Sequence, residues 1–250
     1  MTEPQHNDSF SLEIDRALDP SVYGPVIRVR NALSVYEMAN MKAYIAYEEA
    51  QNYAEDRENR PVTRSKELYA DYGFSTNLAR YCLDQYRGLV LTMEEEMVEP
   101  NKWIDPKIEE EPLVVHETMR CSTPGVEYKS HKDLASKKLT GLIYLSPRKG
   151  NGTRFHGKDN NLSTRDTWEV NTGYIFKPNQ FSFHSYHNEQ LKNRYVYMFN
   201  LYVHSGNFNA RQNLARSRSN GGEPLMISKE MKVTESFDIM ENSVDKIIPI

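Results

Sequence analysis

The segment SHKDLASKKLTGLIYLSP places His131 and Asp133 two residues apart, just before an apolar run that is typical of a β-strand. In extended backbone, residues two apart point to the same face, so this imidazole and this carboxylate can converge on one metal ion. A second histidine would complete a facial triad of two histidines and one carboxylate, which leaves coordination positions open for other ligands. The pair therefore indicates part of a metal site, although the pair alone would also fit a polar turn.

Two histidines further along the chain could supply the third ligand. His184 and His187 both lie in FSFHSYH, an aromatic segment that is typical of a strand. Arg194 stands ten residues after His184, at the start of RYVYMFNLY. Its guanidinium is a planar group that can hold a carboxylate through two hydrogen bonds. Together these side chains could bind a metal ion and a carboxylate-bearing ligand.

The composition limits the classes of protein to which this chain can belong. Its 250 residues suffice for one large domain or two small ones, and its net charge of −4 argues against a nucleic-acid binder that works by bulk electrostatics. Cys82 and Cys121 are the only cysteines, which excludes disulfide scaffolds and cysteine-rich zinc sites. The start, MTEPQHNDSF, is too polar for a signal peptide, and no apolar run is long enough to span a membrane. We therefore expect a cytoplasmic protein with no membrane partner.

Helical patterns dominate the first part of the chain. After a short predicted strand around Val26 to Val29, the segment 35–56 has apolar residues at helical spacing, and Ser34 with Glu37 forms a capping box at its start. A second helix is predicted over 77–99, ending before Pro100. These helices indicate a layer that packs against whatever follows.

Short β-type segments dominate the chain after residue 112. They are rich in Val, Ile, Tyr, Phe and Thr, are separated by Gly, Asn and Pro, and comprise PLVVHETMRCS, KKLTGLIYLSP, TWEVNTGYIFKP, QFSFHSYH and NRYVYMFNLYV. Strands of this length and spacing are typical of a sandwich, a jelly roll or a barrel. The chain is therefore predicted to be an α+β protein, mainly β, with supporting N-terminal helices.

The order of the chemical residues resembles that of the Fe(II)- and 2-oxoglutarate-dependent dioxygenases. The shared order is HxD, a gap of about fifty residues, a histidine and an arginine ten residues later. Three longer segments also resemble the family: HETMRCSTPGVEYKSHKD, LTGLIYLSPRKGNGTRFHG and VNTGYIFKPNQFSFHSY. The opening GPVIRVRNALSVYEMANM is similar to the prolyl-hydroxylase-like branch, and the resemblance extends from Val26 to Val203.

The resemblance implies a fold and a role for each matching residue. The fold would be a double-stranded β-helix, that is, a jelly-roll, cupin-like core. The Fe(II) ligands would be His131, Asp133 and His184, with His187 as the alternative third ligand. The distal carboxylate of 2-oxoglutarate would be held by Arg194 and by the hydroxyl of Tyr144, with Leu142 lining the same pocket.

Two positions depart from the family pattern. The paired glycines of the family correspond here to Gly150-Asn151-Gly152, and a proline of the family corresponds to Asn171. Neither position matches a metal ligand, so the departures bear on the subfamily more than on the chemistry.

The resemblance also implies a division of the chain. Residues 1–20 would form a flexible N-terminal arm, and 21–205 the dioxygenase domain, with a helical layer at 21–111 and the jelly-roll core at 112–205. Residues 206–250 would form a C-terminal extension or lid, which could also connect two subunits of a homodimer.

The implied function is oxidation of a substrate by O₂, most simply hydroxylation, coupled to conversion of 2-oxoglutarate to succinate and CO₂. The substrate would be an amino acid, a peptide or protein side chain, or another small molecule. One alternative is a cupin-like metal-binding barrel, either an isomerase or a non-catalytic binding protein, which would not need Arg194. Another is a nucleic-acid demethylase of the same superfamily, a branch with a second arginine where this chain has Asn200.

Overall fold

The computed structural model describes residues 10–14, 18, 20–24, 26–56, 61–95, 113–133, 137–157, 163–178 and 181–203. The helices are α1 Pro20–Tyr23, α2 Val35–Asp56, α3 Leu68–Tyr72, α4 Asn77–Asp84 and α5 Tyr86–Glu95. The strands are β1 Ser11–Ile14, β2 Val26–Arg30, β3 Thr63–Glu67, β4 Leu113–Ser122, β5 Glu127–His131, β6 Lys137–Ser146, β7 Asn151–His156, β8 Ser163–Thr167, β9 Thr172–Phe176, β10 Phe183–His187 and β11 Arg194–Val203.

The strands form two antiparallel sheets. The major sheet has the order β1-β2-β9-β6-β11-β4-β3, and the minor sheet has the order β5-β10-β7-β8. β11 is central, since it pairs with β4 over its whole length and with β6 on its other side. From β4 to β11 the chain alternates between the two sheets, except that β7 and β8 form a hairpin within the minor sheet, and this is the arrangement of a jelly roll. The predicted double-stranded β-helix with supporting helices is therefore confirmed.

The major sheet is buried on both faces, and the two faces have different neighbours. On one face, the odd-numbered side chains of β11 pack with apolar residues of the helices, such as Met41, Leu78 and Leu89. On the other face, the even-numbered side chains Val196 and Met198 pack with residues that include Phe155 of the minor sheet. This explains why β11 is apolar and aromatic along its whole length and does not alternate with polar residues.

One close approach on the helix-facing side requires glycine. Gly141 of β6 lies opposite Phe199 of β11, and a Cβ at Gly141 would come within 2.0 Å of the Phe199 ring. The absence of a side chain at this position lets a phenylalanine fill the space over the neighbouring strand.

The predicted capping box is present at the start of α2. The backbone N–H of Ser34 donates to Glu37 Oε2 at 2.7 Å, and the backbone N–H of Glu37 donates to Ser34 Oγ at 3.2 Å. Glu37 Oε1 also accepts a hydrogen bond from the backbone N–H of Asn77, which ties the start of α2 to the start of α4. The same carboxylate thus stabilises two helix N-termini, where negative charge is favoured.

Several element predictions differ from the structure. The helix expected over 77–99 is two helices within the described residues, because the backbone leaves the helical conformation at Gln85. The single strand expected in TWEVNTGYIFKP is the end of β8 and all of β9, separated by a turn in which Asn171 has a φ of +62°. Proline cannot adopt a positive φ, so the departure at Asn171 belongs to this turn.

The boundaries of the predicted regions also differ in part. Residues 11–14, within the expected N-terminal arm, form β1 at one edge of the major sheet, and β2 and β3 of the expected helical layer belong to the same sheet. The expected C-terminal extension, 206–250, lies outside the described residues. Among the helices that are described, none combines the length and apolar character needed to cross a membrane.

Candidate metal centre

His131, Asp133 and His184 lie together at one end of the space between the two sheets. One ligand atom from each residue lies within 4.8 Å of the corresponding atoms of the other two. His131 ends β5 and is directly opposite His184 of β10, with the ring centroids 4.4 Å apart. Asp133 follows β5 by two residues and is not part of the strand, so the turn after β5 brings its carboxylate to the two rings.

The backbone orients both imidazole rings. Nδ1 of His131 is 2.9 Å from the carbonyl oxygen of Lys129, and Nδ1 of His184 is 3.0 Å from the carbonyl oxygen of Ser182. A carbonyl oxygen can only accept, so Nδ1 is the donor in each ring, which leaves Nε2 as the nitrogen available to a metal ion. Hydrogen bonds of this kind fix the ring and tautomer of metal-binding histidines.

The pKa of His184 is low enough to keep its ring neutral at neutral pH. Burial lowers the pKa of His184 to about 4, although the carboxylate of Asp133 and the hydrogen bond to Ser182 act to raise it. Its ring also packs edge-on against Phe176, with the centroids 5.2 Å apart. A neutral imidazole is the form that can donate a lone pair to a metal ion at neutral pH.

Asp133 is the anionic member of the group. Burial acts to raise the pKa of the Asp133 carboxyl, but the electrostatic interactions with Lys137 and His184 and the hydrogen bonds from Lys137 and Thr140 bring it below the ordinary value. The Lys137 ammonium donates to Oδ1 at 2.7 Å, and the Thr140 hydroxyl donates to Oδ2 at 2.7 Å. The carboxylate is therefore ionised and oriented.

His187, the alternative third ligand, lies away from this group. Its side chain is 45% exposed, and its Nδ1 is 3.7 Å from a carboxylate oxygen of Glu189. His184 lies three residues earlier on the same strand, so the two side chains point to opposite faces of the minor sheet. Of the two candidates, only His184 has a ring nitrogen close to His131 and Asp133.

Arg194 is the first residue of β11 and is 2% exposed. Its side chain lies among aromatic rings, with the guanidinium carbon 4.1 Å from the ring centroid of Tyr186, 5.1 Å from that of Trp168 and 5.8 Å from that of Tyr144. Within the described part of the chain, none of its three guanidinium nitrogens has a hydrogen-bond acceptor. A buried guanidinium with five donors and no acceptor is rare, because its desolvation is costly unless an anion accepts from it.

Tyr144 and Leu142 line the same side of the major sheet as Arg194. Leu142 is 8% exposed and packs in the cluster between the two sheets. Tyr144 is fully buried, its ring stacks on Trp168 at 4.4 Å, and its hydroxyl oxygen accepts a hydrogen bond from the backbone N–H of Thr153 at 2.8 Å. Tyr144 is therefore close to the guanidinium, Leu142 lies two residues earlier on the same face of β6, and the contact of both with a co-substrate stays a prediction.

Strand β10 connects the metal group with the arginine. His184 and Tyr186 are two residues apart on this strand and point to the same face, one towards His131 and the other towards Arg194. Two residues of a strand span about 7 Å, which is comparable to the length of a short dicarboxylic acid. The two parts of the candidate site thus lie within reach of one small ligand.

Sequence reasoning missed five residues of the site. They are Lys137, Thr140, Trp168, Tyr186 and Asn200. Lys137 could have been recognised from the local sequence, because it lies four residues after Asp133 and directly before the apolar run of β6. The other four are brought to the site by strand pairing, and nothing in their immediate sequence marks them as functional.

The donor set fits an Fe(II) ion. Two imidazole nitrogens and one carboxylate on one side of an ion form the facial arrangement that leaves other positions open, and this arrangement is characteristic of non-haem iron sites. The hydrogen bonds at Nδ1 leave both Nε2 atoms available to a metal ion, and the ionised carboxylate of Asp133 is the anionic ligand that metal binding requires. Arg194, in turn, fits the carboxylate of a ligand bound beside the metal.

The sequence matches no family model, and it matches no curated protein. In overall fold the chain is similar to a prolyl-4-hydroxylase from Pseudomonas putida, with 14% identity, a TM-score of 0.45, and coverage of 75% of this chain and 96% of that one. It is also similar to a viral collagen prolyl hydroxylase from Paramecium bursaria Chlorella virus-1, with 11% identity, a TM-score of 0.46, and coverage of 71% and 95%. A third similar structure is an oxidoreductase of the 2OG-Fe(II) oxygenase family from Burkholderia pseudomallei, with 11% identity, a TM-score of 0.43, and coverage of 72% and 85%. These similarities concern the fold alone, so the chemistry of this chain has to be inferred from its own side chains.

Proposed function

We propose that this protein is an Fe(II)- and 2-oxoglutarate-dependent oxygenase. His131, Asp133 and His184 would hold the Fe(II), and Arg194 would hold the distal carboxylate of 2-oxoglutarate. When bound, the iron supplies the redox chemistry that couples substrate oxidation by O₂ to conversion of 2-oxoglutarate into succinate and CO₂. The finer proposal is that the reaction is a hydroxylation of an amino acid, a peptide or protein side chain, or another small molecule.

The observation that carries this proposal is that the buried guanidinium of Arg194 has no hydrogen-bond acceptor among the described residues. A metal-binding barrel of another kind would need the three metal ligands, but its function would not require a buried guanidinium at about the length of a dicarboxylic acid from them. Burying such a cation is costly unless an anion binds to it. A dicarboxylate explains both features, because one end can bind at the metal and the other can pair with Arg194. The same observation disfavours the cupin-like isomerase or binding protein.

The chain's own residues would do the positioning. The Lys129 and Ser182 carbonyl oxygens orient the two imidazoles through Nδ1, and the Thr140 hydroxyl orients the Asp133 carboxylate. The aromatic rings around Arg194 exclude water from its guanidinium, which strengthens any charge pair formed there. A dry, pre-oriented pocket leaves the oxidising chemistry to the metal and limits side reactions with water.

A binding experiment without oxygen tests the proposal. Anaerobic addition of Fe(II) and then 2-oxoglutarate is expected to produce a new visible charge-transfer band, since the co-substrate would chelate the metal at its open positions. His184→Ala should abolish the band, whereas the matched variant His187→Ala should retain it. Metal binding with no spectral change on adding 2-oxoglutarate would contradict the proposal and favour the cupin-like alternative.

A second readout follows co-substrate binding at the arginine. Trp168 lies 5.1 Å from the Arg194 guanidinium, and the chain has one other tryptophan, Trp103. In a Trp103→Phe background, the fluorescence of Trp168 should therefore change when 2-oxoglutarate binds. Succinate release in the presence of candidate substrates would then identify the reaction.

A further inference from the structure

Asp133 is held by two different kinds of partner, one on each carboxylate oxygen. The Lys137 ammonium lies 2.7 Å from Oδ1, and the Thr140 hydroxyl lies 2.7 Å from Oδ2. The side chains of Asp133 and Lys137 are only 9% and 13% exposed. An ion pair so far withdrawn from solvent is weakly screened and stronger than a surface pair.

The partner on Oδ2 lies on a paired strand of the major sheet. Thr140 of β6 is directly opposite Asn200 of β11, and its Oγ1 lies 3.1 Å from Asn200 Oδ1 and 2.7 Å from Asp133 Oδ2. Both of these oxygens are acceptors and a hydroxyl has one proton, so Thr140 can donate to only one of them at a time. The shorter distance and the negative charge favour the Asp133 carboxylate as the acceptor.

Lys137, the partner on Oδ1, differs from Thr140 in being both charged and flexible. Lys137 is the first residue of β6, and its ammonium is attached through four freely rotating methylene groups. A divalent ion held by the Asp133 carboxylate would place two further positive charges next to this ammonium. Of the two partners, only Lys137 is repelled by the metal, and only Lys137 can swing away without moving a strand.

We propose that Lys137 is a tethered counter-cation that pairs with Asp133 when the metal is absent and competes with the metal for that carboxylate. In this arrangement Lys137 keeps the buried carboxylate from being left unpaired before metal arrives, at the expense of metal affinity. Thr140 acts in the opposite direction, because its hydroxyl holds Asp133 in the orientation that the metal needs. The inference rests on the proposed function in assigning Asp133 as a metal ligand.

Metal affinity is the direct test. Calorimetric titration of the full chain with Co²⁺ or Mn²⁺ alone, without 2-oxoglutarate or O₂, should show that Lys137→Met binds about tenfold more tightly than wild type, since a nearby unit charge is removed. Lys137→Gln should do the same, while Lys137→Arg, which keeps the charge, should stay close to wild type. Thr140→Val should bind several-fold more weakly. An unchanged or weaker affinity in both Lys137→Met and Lys137→Gln overturns the proposal.

Thermal unfolding supplies a readout of the metal-free state. In the absence of metal, Lys137→Met leaves the buried carboxylate of Asp133 without a counter-charge. The melting temperature of this variant should therefore be lower than that of wild type without metal, and it should rise more on adding Co²⁺. An equal metal-induced rise in the two proteins would contradict competition at Asp133.

His184→Ala separates this inference from the proposed function. If wild type binds Co²⁺ and His184→Ala does not, the metal site stands, and the Lys137 variants then decide the role of Lys137 alone. If neither wild type nor any Lys137 variant binds metal, the proposed function and the inference both fail.

Discussion

Glu117 and Arg194 are buried charged side chains on neighbouring strands of the major sheet, β4 and β11, yet they face opposite sides of it. Glu117 faces the helices and accepts hydrogen bonds from the Ser75 hydroxyl at 2.5 Å, the Thr76 backbone N–H at 3.0 Å and the Tyr197 hydroxyl at 2.6 Å. Arg194 faces the minor sheet and has no hydrogen-bond acceptor anywhere in the part of the chain that the structure describes. The two residues are 5% and 2% exposed.

The difference distinguishes a structural charge, whose hydrogen-bond partners belong to the fold, from a binding charge, which is left for a ligand to pair with. The partners of Glu117 come from the segment before α4 and from β11, so its carboxylate joins the helical layer to the sheet. Arg194 contributes nothing comparable to the fold, and a desolvated cation without an acceptor lowers stability. Its burial is explained by an anion that binds there, in the way that functional sites often carry a stability cost.

Glu117→Ala should have the largest effect on folding. The substitution leaves several buried donors without an acceptor at once, so we expect the free energy of unfolding to fall by about 4 kcal/mol. Glu117→Gln keeps one acceptor oxygen and should lose less. Urea unfolding measures both, and a loss below about 1 kcal/mol for Glu117→Ala would remove the distinction between the two charges.

Arg194→Met should affect binding and leave folding nearly unchanged. Without the guanidinium, the affinity for 2-oxoglutarate should fall about a hundredfold, because a buried charge pair can no longer form. The free energy of unfolding should stay within about 1 kcal/mol of wild type, since the lost aromatic contacts offset the removal of an unpaired cation.

Arg194→Lys is the matched control for this variant. Lysine keeps the charge but not the planar fork, so its co-substrate affinity should lie between those of wild type and Arg194→Met. Trp168 fluorescence measures the affinity, and the Fe(II) affinity of both variants should be retained. Wild-type affinity for 2-oxoglutarate in Arg194→Met would show that Arg194 is not the binding charge.

Tyr197→Phe should weaken the structural network without breaking it. The variant removes one donor to Glu117 and leaves the Ser75 hydroxyl and the Thr76 backbone N–H and hydroxyl in place, so a loss of about 1 kcal/mol in the free energy of unfolding is expected. Urea unfolding beside Glu117→Ala gives the comparison. A loss as large as that of Glu117→Ala would mean that Tyr197 and not the carboxylate holds the network together.

The pH dependence of stability should show the smallest effect. Burial raises the pKa of the Glu117 carboxyl above its ordinary value of 4.5, although hydrogen bonds from Ser75, Tyr197 and Thr76 act to lower it. A raised pKa means that folding favours the protonated form, so the contribution of this group is full below about 4.5 and declines as the pH rises through the folded pKa. The stability difference between wild type and Glu117→Gln should therefore shrink from about pH 4 to about pH 7. A difference that grows over this range would contradict the direction of the shift.

Local sequence determined the elements whose pattern is self-contained. The helix of α2 with its Ser34 and Glu37 cap, and the apolar strands β4, β6 and β11, were all predicted from propensity and spacing. Edge strands were missed where the residues are polar, as in TRSKE of β3, because such a strand forms only through pairing with a neighbour that the local pattern does not contain.

The candidate site divides in the same way. His131, Asp133, His184 and Arg194 could be named from the sequence by residue type, spacing and resemblance. Their physical state could not, because it depends on residues far apart in the chain: Trp168 and Tyr186 surround Arg194, and Asn200 reaches Asp133 only through Thr140. Sequence alone determined which chemical groups are present, whereas only the tertiary structure decided that, within the described segments, Glu117 has several hydrogen-bond donors and Arg194 has no acceptor. Burial and hydrogen bonding depend on every strand and helix that packs around a side chain, so they exist only once the sheets and helices have assembled.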